Sequence, residues 1–401
     1  MEKEKPHGEL LQKVLLVVAL FMLALAAVCA ALLITQSGDE MPQETAQGVM
    51  MIDDETIETV PTEDPTPAPT RAPCEHSWKD GVCTLCGEHC PHPRHQAESR
   101  ICTDCGERVV HSFVNGQCRR CGSKPLILDD IVDAGLAGGA TRCGELQKLQ
   151  YSYTDSNHVA VRKDMSVYVP YGYDPQKQYP VALLIHGYGG DLGTWMELRN
   201  HFGTVNVRGI DVVDRLIEED WIAPVLIVSI DTPNLSGMSD YNSRIAKVSE
   251  EIRYGVLPTV CARYATYATD NTSAGIARAR EHFAIIGASD GALYAVESGL
   301  RDNRDLFGVF APLSGLDIPA DILTVQSGEW ARQYPIRLLF MGTGQTDFNR
   351  TQVLLAYVHM LEADASLLDG QNAFHHICDS GHSFRSWFTD LANVLQLAFD
   401  G

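Results

Sequence analysis

The C-terminal two thirds of the chain predict an α/β fold with a mostly parallel central sheet, and three observations lead there. Short apolar runs at residues 180–185, 284–286 and 336–341 have the continuous character of strands buried on both faces. Amphipathic stretches at residues 210–221 and 245–267 alternate with them, as helices flanking such a sheet do. The runs at 180–185 and 336–341, and a further candidate strand at 372–378, lead into glycine-containing loops. Loops at the C-terminal ends of strands are where open α/β sheets carry their chemistry.

The run at 284–286 passes into Gly287-Ala288-Ser289-Asp290-Gly291, followed by small and apolar residues able to continue as a helix. Gly-x-Ser-x-Gly between strand and helix is the pattern of a nucleophile elbow, a tight turn that lifts a serine hydroxyl above the sheet. Glycine is needed at Ser−2 and Ser+2 because side chains there would collide with the neighbouring strand and helix.

A serine hydroxyl becomes nucleophilic when a base takes its proton and a third group orients that base. Downstream, the strand at 336–341 runs into Gly342-Thr343-Gly344-Gln345-Thr346-Asp347, which puts Asp347 on a strand-end loop as the acid. The strand at 372–378 leads to Asp379-Ser380-Gly381-His382, and a predicted helix follows, so His382 is the base. His375 and His376 fall inside that strand, one on each face, as structural residues. Asp379 ranks behind Asp347 because its loop would have to fold back to reach His382. The order Ser289, Asp347, His382 is that of α/β-hydrolases and differs from the chymotrypsin and subtilisin orders.

Upstream, the strand at 180–185 ends in His186-Gly187-Tyr188-Gly189-Gly190. Glycine-rich loops leave N–H groups free to face a developing oxyanion. The expected donors are the backbone amides of Tyr188 and Asp290, each typically worth roughly 3 kcal/mol in the transition state. The His186 side chain is expected to pack structurally.

From about Gln147 onward the chain resembles the esterase group of α/β-hydrolases that includes feruloyl and acetylxylan esterases, esterase D-like enzymes, enterochelin esterases and mycolyltransferases. The likeness is carried by Val167-Tyr168-Val169-Pro170, Tyr179-Pro180-Val181, the 186–190 loop with Trp195, Val256-Leu257-Pro258, the elbow, Ser314-Gly315, Asp347, and Gly381-His382 with Trp387. The nearest resemblance is to feruloyl esterase modules of bacterial xylanases, whose catalytic residues would fall on Ser289, Asp347 and His382. It implies a feruloyl or acetyl ester of plant-wall carbohydrate as substrate, with no cofactor for catalysis and with Trp195 and Tyr188 as stacking surfaces. Trp195 is equally open to a core role. Residues 231–241 are expected to line the pocket. An acyltransferase or siderophore esterase on the same fold, or a non-catalytic surface-binding protein, are the alternatives. In one place the chain departs from the group: Asp290-Gly291-Ala292 stands where Met-Gly-Gly is usual. An acidic side chain there opposes an oxyanion unless it points away or is paired.

The net charge of −21 makes nucleic acid an improbable partner. Residues 14–34 form an uncharged run long enough to cross a bilayer core of roughly 30 Å. Lys3, Lys5 and Lys13 precede it and Asp39, Glu40 and Glu44 follow, so residues 1–13 are expected in the cytoplasm and the catalytic domain outside the cell. A signal peptide cleaved near Val28-Cys29-Ala30, or a lipidated Cys29, are rival readings that also export the chain. Residues 35–73, acidic and then Pro- and Thr-rich, read as a solvated linker.

Residues 74–124 hold an internal repeat and eight of the chain's twelve cysteines. Cys74-x-His76 with Cys83-x-x-Cys86, Cys90-x-His92 with Cys102-x-x-Cys105, and His111 with Cys118-x-x-Cys121 read as zinc-ribbon-like knuckles. The third set has Val109 in place of its first cysteine and would borrow His89 or His95. Histidine at matched positions favours structural zinc, which would stabilise a segment poor in apolar residues. Disulfides are the competing reading in an exported chain. The module is expected to act as a spacer or to bind a wall component or protein partner. Cys143, Cys261 and Cys378 are expected to be buried thiols.

Overall fold

The computed structural model describes residues 77–79, 82–84, 102, 104, 111, 113–114, 116–119, 122, 124–315 and 328–399. The predicted membrane segment 14–34 and linker 35–73 lie outside the described residues. Among those residues no helix is long and apolar enough to cross a membrane.

The core is an eight-stranded sheet. In chain order its strands are β1 (Glu145–Thr154), β2 (Ala160–Val169), β3 (Val181–Ile185), β4 (Leu226–Ile230), β5 (Phe283–Ala288), β6 (Val309–Leu313), β7 (Leu338–Gly344) and β8 (Ala373–Cys378). Their spatial order is 1-2-4-3-5-6-7-8. β1 and β2 form an antiparallel hairpin, β2 runs antiparallel to β4, and all other neighbours are parallel. The predicted apolar runs become β3, β5 and β7, in which every residue is buried. Each fully buried Leu or Ile side chain there contributes roughly 1.5–3 kcal/mol.

β7 runs on past Met341, where its apolar run ends, through Gly342, Thr343 and Gly344. A Cβ on Gly342 would lie 2.1 Å from the Asp390 carboxylate, so a bare backbone here lets the strand continue beneath a polar side chain. β8 matches its predicted span within a residue, with His375 exposed and His376 buried on opposite faces.

Helices cover both faces. On one lie α1 (Gly209–Glu218) and α5 (Phe384–Ala398), and on the other α2 (Tyr241–Glu250) and α4 (Arg350–Ala363). α3 (Asp290–Tyr294) leaves the elbow and widens into a π-turn at Ala295–Arg301. The predicted helix at 245–267 is likewise interrupted by a π-turn at Glu251–Val256 before Leu257–Arg263. Pro258 has no N–H to donate, and a widened turn accommodates the loss.

The packed body begins before Gln147. The Asn393 side chain on α5 accepts the Leu128 N–H at 2.8 Å and donates to the Leu128 carbonyl at 2.9 Å. Gln396 donates to the Leu126 carbonyl, and Leu128, Ile131 and Leu136 are buried beneath.

In the cysteine-rich segment two hairpins repeat one geometry. Trp78 pairs with Cys83, and Phe113 pairs with Cys118. Cys83, Cys102, His111 and Cys118 are buried. The other predicted ligands, Cys74, His76, Cys86, Cys90, His92, Cys105 and Cys121, lie outside the described residues, among which no three ligand-type side chains gather. The three cysteines of the C-terminal region do not share one environment. Cys378 is buried, Cys261 is half-buried, and Cys143 is exposed, which corrects its prediction as a buried thiol. It lies in the loop that precedes β1, where its Sγ donates to the Ala140 carbonyl at 3.3 Å.

Candidate active site

Register brings the site together. Ile185 pairs with Gly287, Ala288 with Leu313, and Gly344 with Cys378, so the C-terminal ends of β3, β5, β6, β7 and β8 open on one edge of the sheet. The glycine loop, Ser289, Ser314, Asp347 and His382 all emerge there.

Ser289 sits at φ 57°, ψ −120°, a backbone conformation that L-residues rarely adopt. Its N–H donates to the Leu313 carbonyl at 2.9 Å. The flanking glycines are required by close approach. A Cβ on Gly287 would lie 1.9 Å from the Gly291 carbonyl oxygen, and one on Gly291 would lie 2.2 Å from the Ile185 oxygen.

His382 Nε2 lies 3.0 Å from Ser289 Oγ, and its Nδ1 lies 3.0 and 3.1 Å from the two oxygens of Asp347. With Nδ1–H donated to the carboxylate, Nε2 is left as an acceptor facing the serine hydroxyl. The Asp347 side chain is fully buried. Burial pushes its carboxyl upward, but hydrogen bonds from His382, Ser314 and the Asn349 N–H outweigh this and hold it below the ordinary carboxylate range. Ser314 is itself tied down by Trp387 Nε1, which donates to its hydroxyl at 3.0 Å, and by Asn349, which donates to its carbonyl. Trp387 also stands edge-on to the His382 ring. Asp379 is exposed and makes no hydrogen bond to His382 among the described residues.

Residues 187–190 form a turn closed by the Gly190 N–H donating to the Gly187 carbonyl at 3.1 Å, with Gly189 at φ +72°. The Tyr188 amide in this turn has no acceptor among the described residues. The Asp290 amide opens α3, where first-turn N–H groups lack intrahelical partners. The Asp290 carboxylate accepts hydrogen bonds from the Leu235 and Ser236 N–H groups and the Ser236 hydroxyl, so the charge that the sequence places beside Ser289 is solvated by neutral donors. His186 is buried and structural: its Nε2 accepts the Thr232 N–H, and its Nδ1 donates to the Gly187 carbonyl at 2.8 Å.

Trp195 is not a substrate surface. It is 1 % exposed, its Nε1 donates to the Ile185 carbonyl at 2.9 Å, and its ring packs against Phe384 and Phe388. A buried indole needs a partner for its N–H, and a strand-end carbonyl supplies one.

A cavity of about 550 Å³ opens over Ser289 and His382. Its lining includes Tyr188, Leu198, Phe348 and Trp387, with Ser236 from the predicted 231–241 segment. Tyr188 and Phe348 are 62 % and 73 % exposed, so the rim is aromatic and open to solvent. Phe348, Leu198 and Asn349 carried no sequence signal beyond proximity to Asp347 or Trp195. No described group here forms a metal site.

Strand order, elbow and site together define an α/β-hydrolase fold bearing a serine–histidine–aspartate constellation. The chain is 34% identical over 156 residues to endo-1,4-beta-xylanase Y of Acetivibrio thermocellus, a match spanning 38% of this chain and 13% of that protein. No protein-family model matches it. In structure it is similar to a mutant feruloyl esterase module from Clostridium thermocellum complexed with sinapinate, with a TM-score of 0.51 and 23% identity over 66% of this chain and 91% of that one. It is also similar to a ferulic acid esterase of Anaeromyces mucronatus in complex with ferulic acid, with a TM-score of 0.52 and 17% identity over 69% of this chain and 98% of that one. At these identities the structural likeness is one of fold.

Proposed function

We propose that this chain is a serine-type carboxylic ester hydrolase acting on feruloyl or acetyl esters of plant-wall carbohydrate. The observation that carries the reading is the single imidazole of His382 bridging Ser289 and Asp347 at hydrogen-bond distance.

Ser289 Oγ attacks the ester carbonyl carbon as its proton passes to His382 Nε2. The carbonyl π electrons move onto oxygen, and the Tyr188 and Asp290 amides hold that oxyanion. Collapse re-forms the carbonyl and expels the alcohol, which takes the proton from His382 and leaves an acyl-Ser289. Water, deprotonated by His382, attacks the acyl group, and Ser289 leaves as the free hydroxyl. Asp347 keeps the imidazole in the required tautomer and stabilises the imidazolium. The aromatic rim favours a phenolic acyl group, and the sinapinate and ferulic acid named for the two structural relatives support the same class.

In this reading residues 14–34 anchor the chain in the cell membrane, the linker 35–73 holds the catalytic domain outside, and residues 74–121 bind structural zinc. Metal analysis of the purified chain before and after chelation tests the last point: zinc released together with reactive thiols supports it, and cysteines locked in disulfides overturn it.

The catalytic test uses methyl ferulate and nitrophenyl acetate. The full chain should turn over both and be labelled by a fluorophosphonate, and Ser289→Ala should lose both properties by at least about a thousandfold. A folded wild-type chain that neither turns over nor labels overturns the proposal.

A further inference from the structure

The residue after the nucleophile is an acid 4 % exposed, and donors from a single turn occupy its two oxygens. Asp290 Oδ2 accepts the N–H groups of Leu235 and Ser236 at 2.8 and 3.2 Å, and Oδ1 accepts the Ser236 hydroxyl. The turn is also gripped from behind. Tyr294 Oη donates to the Pro233 carbonyl at 2.8 Å, and Arg244 donates to the Asn234 carbonyl at 2.9 Å. Leu235 on the turn is buried in the core, and Asn234 points forward: its Oδ1 accepts the Gly189 N–H at 2.7 Å.

Gly189 stands one residue beyond the Tyr188 amide. A Cβ built there would meet nothing within 4 Å, so no packing holds that side of the turn. The other bonds to the turn, from the Gly190 N–H and from His186 Nδ1, both end on the Gly187 carbonyl. Among the described residues Asn234 is therefore the tether of the turn's apex.

We propose that Asp290 and Asn234 are positioning residues for the oxyanion hole. Asp290 locks the 233–236 turn, and Asn234 on that turn holds the Gly187–Gly190 loop with its Tyr188 amide at the distance an oxyanion requires. One residue thus serves the hole twice, through its own backbone amide and, by way of its carboxylate, through the amide opposite. This rests on the ester-hydrolase reading above.

The geometry of a donor matters most when charge has developed on the carbonyl oxygen, so the effect belongs in kcat rather than KM. Asn234→Ala, Asp290→Asn and the double variant of the full chain are assayed with nitrophenyl acetate, alongside thermal unfolding. Asn234→Ala is expected to lower kcat roughly tenfold with KM within about twofold of wild type. Asp290→Asn is expected to lose a similar factor, and the double variant no more than the worse single one, because both cut the same tether. An unchanged kcat in Asn234→Ala, a loss confined to KM, or losses that multiply in the double variant overturn the proposal. If Asp290→Asn fails to fold, the kcat and KM of Asn234→Ala decide alone. An inactive wild-type chain would instead refute the ester-hydrolase reading itself.

Discussion

The Phe348 ring lies over the His382 imidazole, with centroids 4.3 Å apart and planes tilted by 31°. It shields the base yet is itself largely open to solvent, so one of its faces is available to a bound acyl group. Truncation should therefore act on binding of an aromatic acyl moiety and little on folding. Phe348→Ala is expected to raise KM for methyl ferulate about fivefold, the equivalent of roughly 1 kcal/mol of aromatic contact, while leaving nitrophenyl acetate nearly unaffected. Equal loss of kcat on both esters would assign the ring to the imidazole alone.

Trp195 should behave as a core residue. Trp195→Ala is expected to cost about 3–5 kcal/mol in denaturant unfolding, since it opens a cavity and strips the Ile185 carbonyl of its donor. KM of the remaining folded enzyme should not move. A raised KM with unaltered stability would restore the stacking role that the sequence first suggests.

The elbow is held by main chain against main chain. Gly291→Ala would drive a Cβ to 2.2 Å from a strand carbonyl, where no side chain can yield. The expected loss is about 3 kcal/mol, with reduced turnover even below the unfolding transition. A neutral effect in urea titration would mean that β3 and the elbow can separate without cost.

Asp347 provides a pH test. Its carboxyl is held below the ordinary range, so its ionised form contributes stability that is fully present above a pKa of about 4 and lost as pH falls through the lower folded value. Asp347→Asn should flatten the stability profile below about pH 4, where the lowered carboxyl would otherwise lose its contribution. It should also lower kcat by about 10⁴, because the imidazole loses its tautomer control. Superimposable acid limbs for the two proteins would show that the carboxylate gains nothing from its partners.

Much of this was legible in one dimension because strand order and loop position obey local rules. Apolar runs mark β3, β5 and β7, and the loops that follow them must open on one edge of a parallel sheet. Ser289, Asp347 and His382 could be named from that together with the Gly-x-Ser-x-Gly pattern and the Ser, Asp, His order. What escaped depends on distant partners. The indole of Trp195 looks the same in a sequence whether it faces a ligand or Ile185. The acid at Asp290 reads as a liability until the amides of Leu235 and Ser236, more than fifty residues earlier, are seen to surround it. The segment around Leu128 joins the body through Asn393 on α5, some 265 residues later, and no periodicity records that contact.

Because the perch of Ser289 is built from backbone on either side, its hydroxyl owes its address to the sheet and not to the rim above. Changes to the side chains of Tyr188, Leu198 or Phe348 leave that backbone perch in place. In the proposed esterase, the choice of what to cleave would thereby be separate from the ability to cleave at all.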